Sequence, residues 1–446
     1  MRSSWRKYLA ERAPRYTSYP SALQFNPSVT ADDYAAKLEA VDLYEPLSIY
    51  VHVPFCKQLC WYCGCNMRVE NNYNRALDYL DTLIDEIRMT GGFLGGAGRL
   101  ASIHFGGGTP NFFSPDALGR ILNAIELELG LTDDARLAIE IDPRLASRDD
   151  ITALAELGFS RMSLGVQDID PAVQQAINRV QSYEMIEAGV SAMREAGVND
   201  ISFDLLYGLP KQTARGFAST LAKTIALAPD RVSVFGYAHL PSAIPRQRLI
   251  QTQDLPGQSL RHELAAISDE MLTSAGYQSI GFDHYAKPHN SLAVAARKNR
   301  LRRNFQGFTD EIAKTMIGFG ATAISFIDGL YAQNEKDPRS YREAISERRL
   351  PVARGVQRTD RDEIVAAAVS ELLCRFEADL TPVLALADAQ ETEMINRRLG
   401  AFEQDGVISR NGAHITLTSA ARPLSRAVAM AFDPYAYGGD MLARAV

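Results

Sequence analysis

Cys56, Cys60, Cys63 and Cys65 lie within ten residues of one another, spaced C-x3-C-x2-C-x-C, and make up four of the five cysteines of a 446-residue chain. The thiolate is the metal-binding form of cysteine, so such a run in one loop can surround an inorganic core. Three chemistries compete for it. Zinc knuckles mostly use paired cysteine elements with the second pair a dozen or more residues away, and no second pair follows here. Disulfide sets belong to small, stapled domains more than to one loop of a long chain. An iron–sulfur cluster suits the spacing best.

Other residue types that can do chemistry follow in order. Gly106-Gly107-Gly108-Thr109-Pro110 lets backbone amides approach a ligand and adds a hydroxyl, and it is not a dinucleotide fingerprint. Glu140 in Glu-Ile-Asp-Pro is either a solvated strand terminus or an acceptor for a ribose or an ammonium. Gln167-Asp168, Arg179 and Asp204 recur at similar positions. His52 reads first as a hydrogen-bonded packing residue, and His104, His284 and His289 have no metal-ligand spacing. Arg297 to Arg303 is dense in positive charge, as a solvated face or as a recogniser of carboxylates or nucleic acid.

These residues need a scaffold. Strand-like runs at Ser48–Val53, Ala101–Phe105, Leu137–Ile141, Arg161–Val166, Ile201–Leu206 and Val232–Tyr237 alternate with helical stretches such as Tyr73–Met89 and Tyr183–Ala196. That alternation predicts an α/β fold with a parallel sheet, either an incomplete (β/α)6 barrel or a doubly wound sheet, with its site at the C-terminal strand ends. A helix is expected from Thr30 or Ala31 to Leu38. Beyond residue 358, helical periods at Asp360–Phe376 and Glu391–Phe402 precede a hairpin at Val407–Leu417 with an Asn-Gly turn, a winged-helix-like pattern. Cys374 reads as a core residue. Hydrophobic residues at 46% and charged residues at 23% are ordinary for a globular protein, and the net charge of −7 argues against nucleic acid or anionic membrane as partners. The longest apolar stretch, near Met316 to Ile327, is too short to span a bilayer. The faintly basic start reads as an arm and not a transit peptide, and free cysteines suit a cytoplasmic location.

The C-x3-C-x2-C spacing with Tyr62 before the last cysteine resembles the radical S-adenosylmethionine (SAM) enzymes. Cys65, the preceding Tyr50-Val-His-Val-Pro-Phe55, the arm Arg15-Tyr-Thr-Ser-Tyr-Pro20 and Asn304-Phe-Gln-Gly307 narrow the resemblance to the oxygen-independent coproporphyrinogen III oxidase family, over nearly the whole chain. The resemblance implies an incomplete (β/α)6 radical-SAM barrel at 46–357, an N-terminal arm at 1–45 that closes as a flap, and a C-terminal cap at 358–446. It implies a [4Fe–4S] cluster on Cys56, Cys60 and Cys63, with one iron open to SAM. SAM contacts are implied at Tyr50, Tyr62, Gly107, Gly108, Thr109, Glu140, Gln167, Arg179, Asp204, Ala238 and Ile324. Cys65 stays open between a further role and a small neighbouring residue. The implied reaction uses a 5′-deoxyadenosyl radical to remove a propionate β-hydrogen, with loss of an electron and carbon dioxide, on two propionates of coproporphyrinogen III. The implied partners are that substrate and an electron donor such as a flavodoxin or ferredoxin, with the chain a monomer. A tetrapyrrole-acting radical-SAM methyltransferase and a haem-binding chaperone are the alternative readings. Gly276–Tyr285 resembles a seventh, capping strand. The family pattern has Tyr-Thr-Thr where this chain has Phe308-Thr309-Asp310, and Gly-Arg near Ala421-Arg422-Pro423.

Overall fold

The computed structural model describes residues 5–9, 11–436 and 443–444. Six parallel strands form its centre in sequence order: β1 (Pro46–Val53), β2 (Arg99–Gly107), β3 (Leu131–Ile141), β4 (Phe159–Gln167), β5 (Asp200–Tyr207) and β6 (Arg231–Gly236). Side chains alternate across a strand, and that period sorts them here. Met162, Leu164 and Val166 of β4 and Ile201, Phe203 and Leu205 of β5 are buried in the core. Their neighbours Ser163, Gly165, Gln167, Asp204 and Leu206 line an interior cavity instead.

Helices cover the apolar side. The helix α1 (Ala31–Glu39) starts at Thr30, which forms a capping box with Asp33. The helix after the cysteine loop, α2 (Tyr73–Leu94), is longer than the sequence suggests. It runs through Gly91 and Gly92 and stops at Gly95, whose φ is 56°. Gly91 is there for packing: a Cβ would lie 2.8 Å from Glu128 Cβ of α3 (Pro115–Leu129). The glycine admits a close helix pair rather than ending a helix.

The sheet does not stop at six strands, and one expectation needs correction. Gly276–Tyr285 is a hairpin and not one strand. Its arms β7 (Gln278–Ile280) and β8 (His284–Ala286) turn at Gly281, φ 57°, and β8 pairs antiparallel with β6. A further strand, β9 (Thr315–Phe319), pairs parallel with the outer edge of β1, so the cysteine-bearing strand is central. An antiparallel run of β10 (Ile324–Ile327), β11 (Leu330–Asn334) and β12 (Val352–Gln357) continues from it. Among the described residues the parallel core is seven strands in a twelve-stranded sheet.

The last part carries α4 (Asp360–Arg375) and α5 (Ala389–Gln404), with a three-stranded antiparallel sheet of Glu377–Asp379, Ile408–Asn411 and His414–Leu417. The hairpin forms as expected, but its register pairs Asn411 with His414, so the two-residue turn is Gly412-Ala413, one residue on from the expected Asn-Gly, with Gly412 at φ 62°. Cys374 packs in a small core with Ile280, Leu301 and Phe308. Among the described residues no helix is long and apolar enough to cross a membrane.

Candidate functional site

The C-terminal ends of β1 to β6 open into a cavity of about 830 Å³. Cys56, Cys60, Cys63 and Cys65 all line it, with Tyr62 and Gly64. Cys60 is buried, while Cys65 is exposed to the cavity. The loop is held from several sides. His52 bridges the backbone carbonyl of Asn66 (3.0 Å) and the Tyr50 hydroxyl (3.2 Å), the packing role expected of it. Arg246 donates to the carbonyls of Cys63 (2.7 Å) and Cys65, and Gln247 to that of Tyr62 (3.0 Å).

The sulfurs are met by donors. Thr109 Oγ1 lies 3.2 Å from Cys56 Sγ, and the guanidinium groups of Arg144 and Arg179 each lie 3.7 Å from Cys60 Sγ. Asp142 binds both arginines, at 2.6 and 3.2 Å. Burial pushes the Cys56 thiol up to about 12, a cost that coordination to a metal overcomes by deprotonating the thiol outright. Among the described residues no three His, Cys, Asp or Glu side chains close on a single ion. In a cluster each thiolate binds its own iron. The donor set fits a [4Fe–4S] cluster: three thiols in one loop, a fourth beside them, and cations and a hydroxyl placed to donate hydrogen bonds to anionic sulfur.

The remaining wall suits a polar cofactor. Gly107, Gly108 and Thr109 contribute a glycine turn that no other residue could supply closely, since a Cβ on Gly108 would lie 2.9 Å from the Phe55 carbonyl. Glu140, Gln167, Arg179, Asp204 and Ala238 line the same cavity, so nine of the eleven expected SAM positions, counting Tyr62, converge. Tyr50 and Ile324 do not line it. Tyr50 lies beneath the glycine turn, with its ring stacked on His104 at 6.0 Å. Ile324 is on β10, beyond β9. Asp204 accepts from the Ser163 hydroxyl (3.1 Å), and burial, then the Glu140 charge, pushes its carboxyl up to about 6. Sequence reading missed Asp142, Arg144, Arg246 and Gln247. Asp142 stands inside Glu-Ile-Asp-Pro and was within reach. Arg246 and Gln247 lie over 180 residues from their loop partners, and nothing local marks them.

A second cavity of about 640 Å³ adjoins the first and shares Arg15, Thr17 and the β6 end at Phe235 to Ala238. Arg15, Arg261, Arg303 and Arg426 line it. Of the basic run, Arg303 points inward, with its guanidinium over Phe282 and Phe308 at 4.9 and 4.6 Å. Arg297, Lys298 and Arg300 are exposed. Asp310 points away from both cavities. It pairs with Arg136 (2.7 Å), and lies 3.7 and 4.0 Å from Arg161 and Arg231 at the opposite end of the strands. The departure at Phe308–Asp310 therefore adds no charge to the cavity walls.

Comparison with known proteins agrees with this geometry. The radical SAM superfamily model matches residues 50–223. An oxygen-independent coproporphyrinogen III oxidase of Bradyrhizobium diazoefficiens is 41% identical over 437 residues, covering 98% of this chain and 97% of its own. The Escherichia coli enzyme of that name is 39% identical, covering 95% and 93%. The solved structure of coproporphyrinogen III oxidase from Escherichia coli, described as a radical SAM enzyme, superposes with a TM-score of 0.89 at 37% identity, covering 94% of this chain and 97% of that one.

Proposed function

The chain belongs to the oxygen-independent coproporphyrinogen III oxidase family of radical SAM enzymes, and from that premise we propose that it converts two propionate side chains of coproporphyrinogen III to vinyl groups, giving protoporphyrinogen IX. The observation that carries this reading is the adjoining pair of cavities: a cysteine-lined one for the cofactors and an arginine-lined one for a polycarboxylate, meeting at the end of β6.

Cys56, Cys60 and Cys63 hold the [4Fe–4S] cluster, and Glu140, Gln167, Arg179, Asp204, the glycine turn at Gly107–Thr109, Tyr62 and Ala238 hold SAM. Bound there, the two cofactors supply reductive cleavage of the SAM sulfonium and the hydrogen-abstracting 5′-deoxyadenosyl radical. The protein orients and encloses. Arg179 spans Cys60, Asp142 and the carbonyl of Gly165 (2.9 Å), tying the cluster side to the SAM side. Arg15, Arg261, Arg303 and Arg426 match the four propionates in number and charge. A radical attacks whatever is nearest, so placement decides the product. The arm contributes to that enclosure: Pro14 to Ser18 and Ser21 to Leu23 line the cofactor cavity.

The same reading divides the chain into an arm (1–45), a barrel with its extension (46–357) and a cap (358–446). We propose that the chain works as a monomer. We place the protein in the cytoplasm, on its free metal-binding cysteines. The electron comes from a small carrier such as a flavodoxin or ferredoxin, approaching over Lys57 and Gln58, which are exposed on the cysteine loop. An anaerobic assay of the reconstituted enzyme with SAM, reductant and coproporphyrinogen III tests the reading. Protoporphyrin after oxidation, with methionine and 5′-deoxyadenosine, and its loss in Cys56→Ser, is the expected result. SAM cleavage without decarboxylation would assign another substrate.

A further inference from the structure

The arginine-lined cavity has one carboxylate in its wall among the described residues, Asp283. Against a substrate bearing four propionates this is the wrong sign, unless the group it faces is a hydrogen-bond donor. Asp283 is held rigidly. Its carbonyl accepts from the Val234 amide (2.8 Å), and its Oδ1 lies 2.6 Å from His284 Nδ1. The imidazole is fixed edge-to-face between Phe235 and Phe308, at 5.5 and 5.3 Å. Burial works against an ionised Asp283, but His284 and the charges of Arg303 and Arg426 outweigh it, and the carboxyl lies below its usual range. An ionised carboxylate only accepts, so His284 Nδ1–H is the donor. Among the described residues Oδ2 accepts no hydrogen bond, and no cation lies within ion-pair distance of it. Asp283 is therefore not placed as the counter-ion of a particular arginine.

We propose that Asp283 Oδ2 accepts hydrogen bonds from the pyrrole N–H groups at the centre of the macrocycle, and so selects the reduced porphyrinogen over the oxidised porphyrin. This rests on the function proposed above. The reduced macrocycle presents four N–H donors and no nitrogen acceptor. The oxidised one presents two donors and two imine lone pairs, which repel a carboxylate. Both carry the same four propionates, so the arginines do not distinguish them. The selectivity has a use: a porphyrin occupying the cavity would block the reaction without undergoing it.

The test compares the reconstituted holoenzyme with Asp283→Asn and Asp283→Glu under anaerobic conditions. Fluorescence anisotropy of coproporphyrin III gives one Kd, and its displacement by coproporphyrinogen III gives the other. The visible absorbance of the cluster reports folding. The wild type is expected to favour the reduced ligand by about tenfold or more, and Asp283→Asn to bring the two within about threefold, the loss of a charged acceptor. Asp283→Glu keeps the acceptor at a longer reach and falls between them. An Asn variant that keeps the full preference, or that tightens both ligands equally as a mere charge balancer would, overturns the proposal. A wild type that binds neither ligand overturns the functional reading and this proposal with it.

Discussion

Arg144 and Arg179 place two positive charges beside one cysteine sulfur, held there by a shared carboxylate, Asp142. A cluster's potential follows its net charge and its hydrogen bonds to sulfur. Arg144→Gln should therefore shift the cluster's midpoint potential negative by some tens of millivolts while leaving three cysteines to hold it. A redox titration followed by electron paramagnetic resonance measures this, and an unchanged midpoint would show that Arg144 serves Asp142 alone. Arg144 marks where sequence reading stops at this scale, and Arg179 was legible only as a SAM contact, not as a neighbour of the Cys60 sulfur. Cysteines announce themselves because four thiols must share one short loop. The residues that meet the sulfurs or hold the loop's carbonyls come from the turns after β2, β3, β4 and β6, and only the fold gives them a common address.

Two buried carboxylates fasten elements together, and each makes a prediction. Asp310 binds arginines from β3, β4 and β6 at the N-terminal end of the barrel. Breaking a buried ion network by removing one partner leaves unpaired charge, so Asp310→Asn should lower the unfolding free energy by about 3 kcal/mol with KM unchanged. Urea unfolding and steady-state kinetics check the two halves. Glu86 on α2 accepts from the Gly320 amide (2.7 Å), Asn334 (2.6 Å) and Tyr341 (2.5 Å), clamping the loop after β9. Burial pushes its carboxyl up to about 7. The folded state then binds more protons than the unfolded one between its ordinary value and neutrality, so this site's contribution is full in acid and is lost as pH rises through about 7. The difference is roughly 3 kcal/mol. Glu86→Gln should flatten that slope between pH 5 and pH 8, and denaturant midpoints at the two pH values measure it. The strands of the central barrel were legible because one face meets helices and the other a cavity, which writes a period of two into the chain. β9 was not: Thr315–Phe319 is buried throughout, and a strand covered on both faces loses its alternation. The hairpin of β7 and β8 was read as one strand because its turn hangs on the single glycine at 281.

At the scale of the molecule, the arm and the far end of the chain close on each other. Tyr16 and Tyr19 both donate to Asp433, at 2.8 and 3.0 Å, and Arg358 donates to the Tyr19 carbonyl at 2.6 Å. Arg15, carried by the same segment, reaches both cavities. Deleting residues 1–25 should leave a cluster-loaded protein that makes no vinyl product. Asp433→Asn should do the same in part, raising KM for the porphyrinogen several-fold and exposing the arm to limited proteolysis, while full turnover by the truncated chain would separate the arm from catalysis. The resemblance pointed to this flap, but its anchor was not visible, because the tyrosines and Asp433 are more than 400 residues apart. The central position of β1 carries a consequence for how the protein is made. One of its edges is covered by β2 early, and the other waits for β9, about 200 residues later. At ribosomal speeds that is roughly 10 to 40 seconds in which the nascent strand leading to the cysteines presents a bare edge, the kind of template on which chains mispair. Metal loading thus has a natural place in the order of synthesis: after the seventh parallel strand has emerged and sealed that edge.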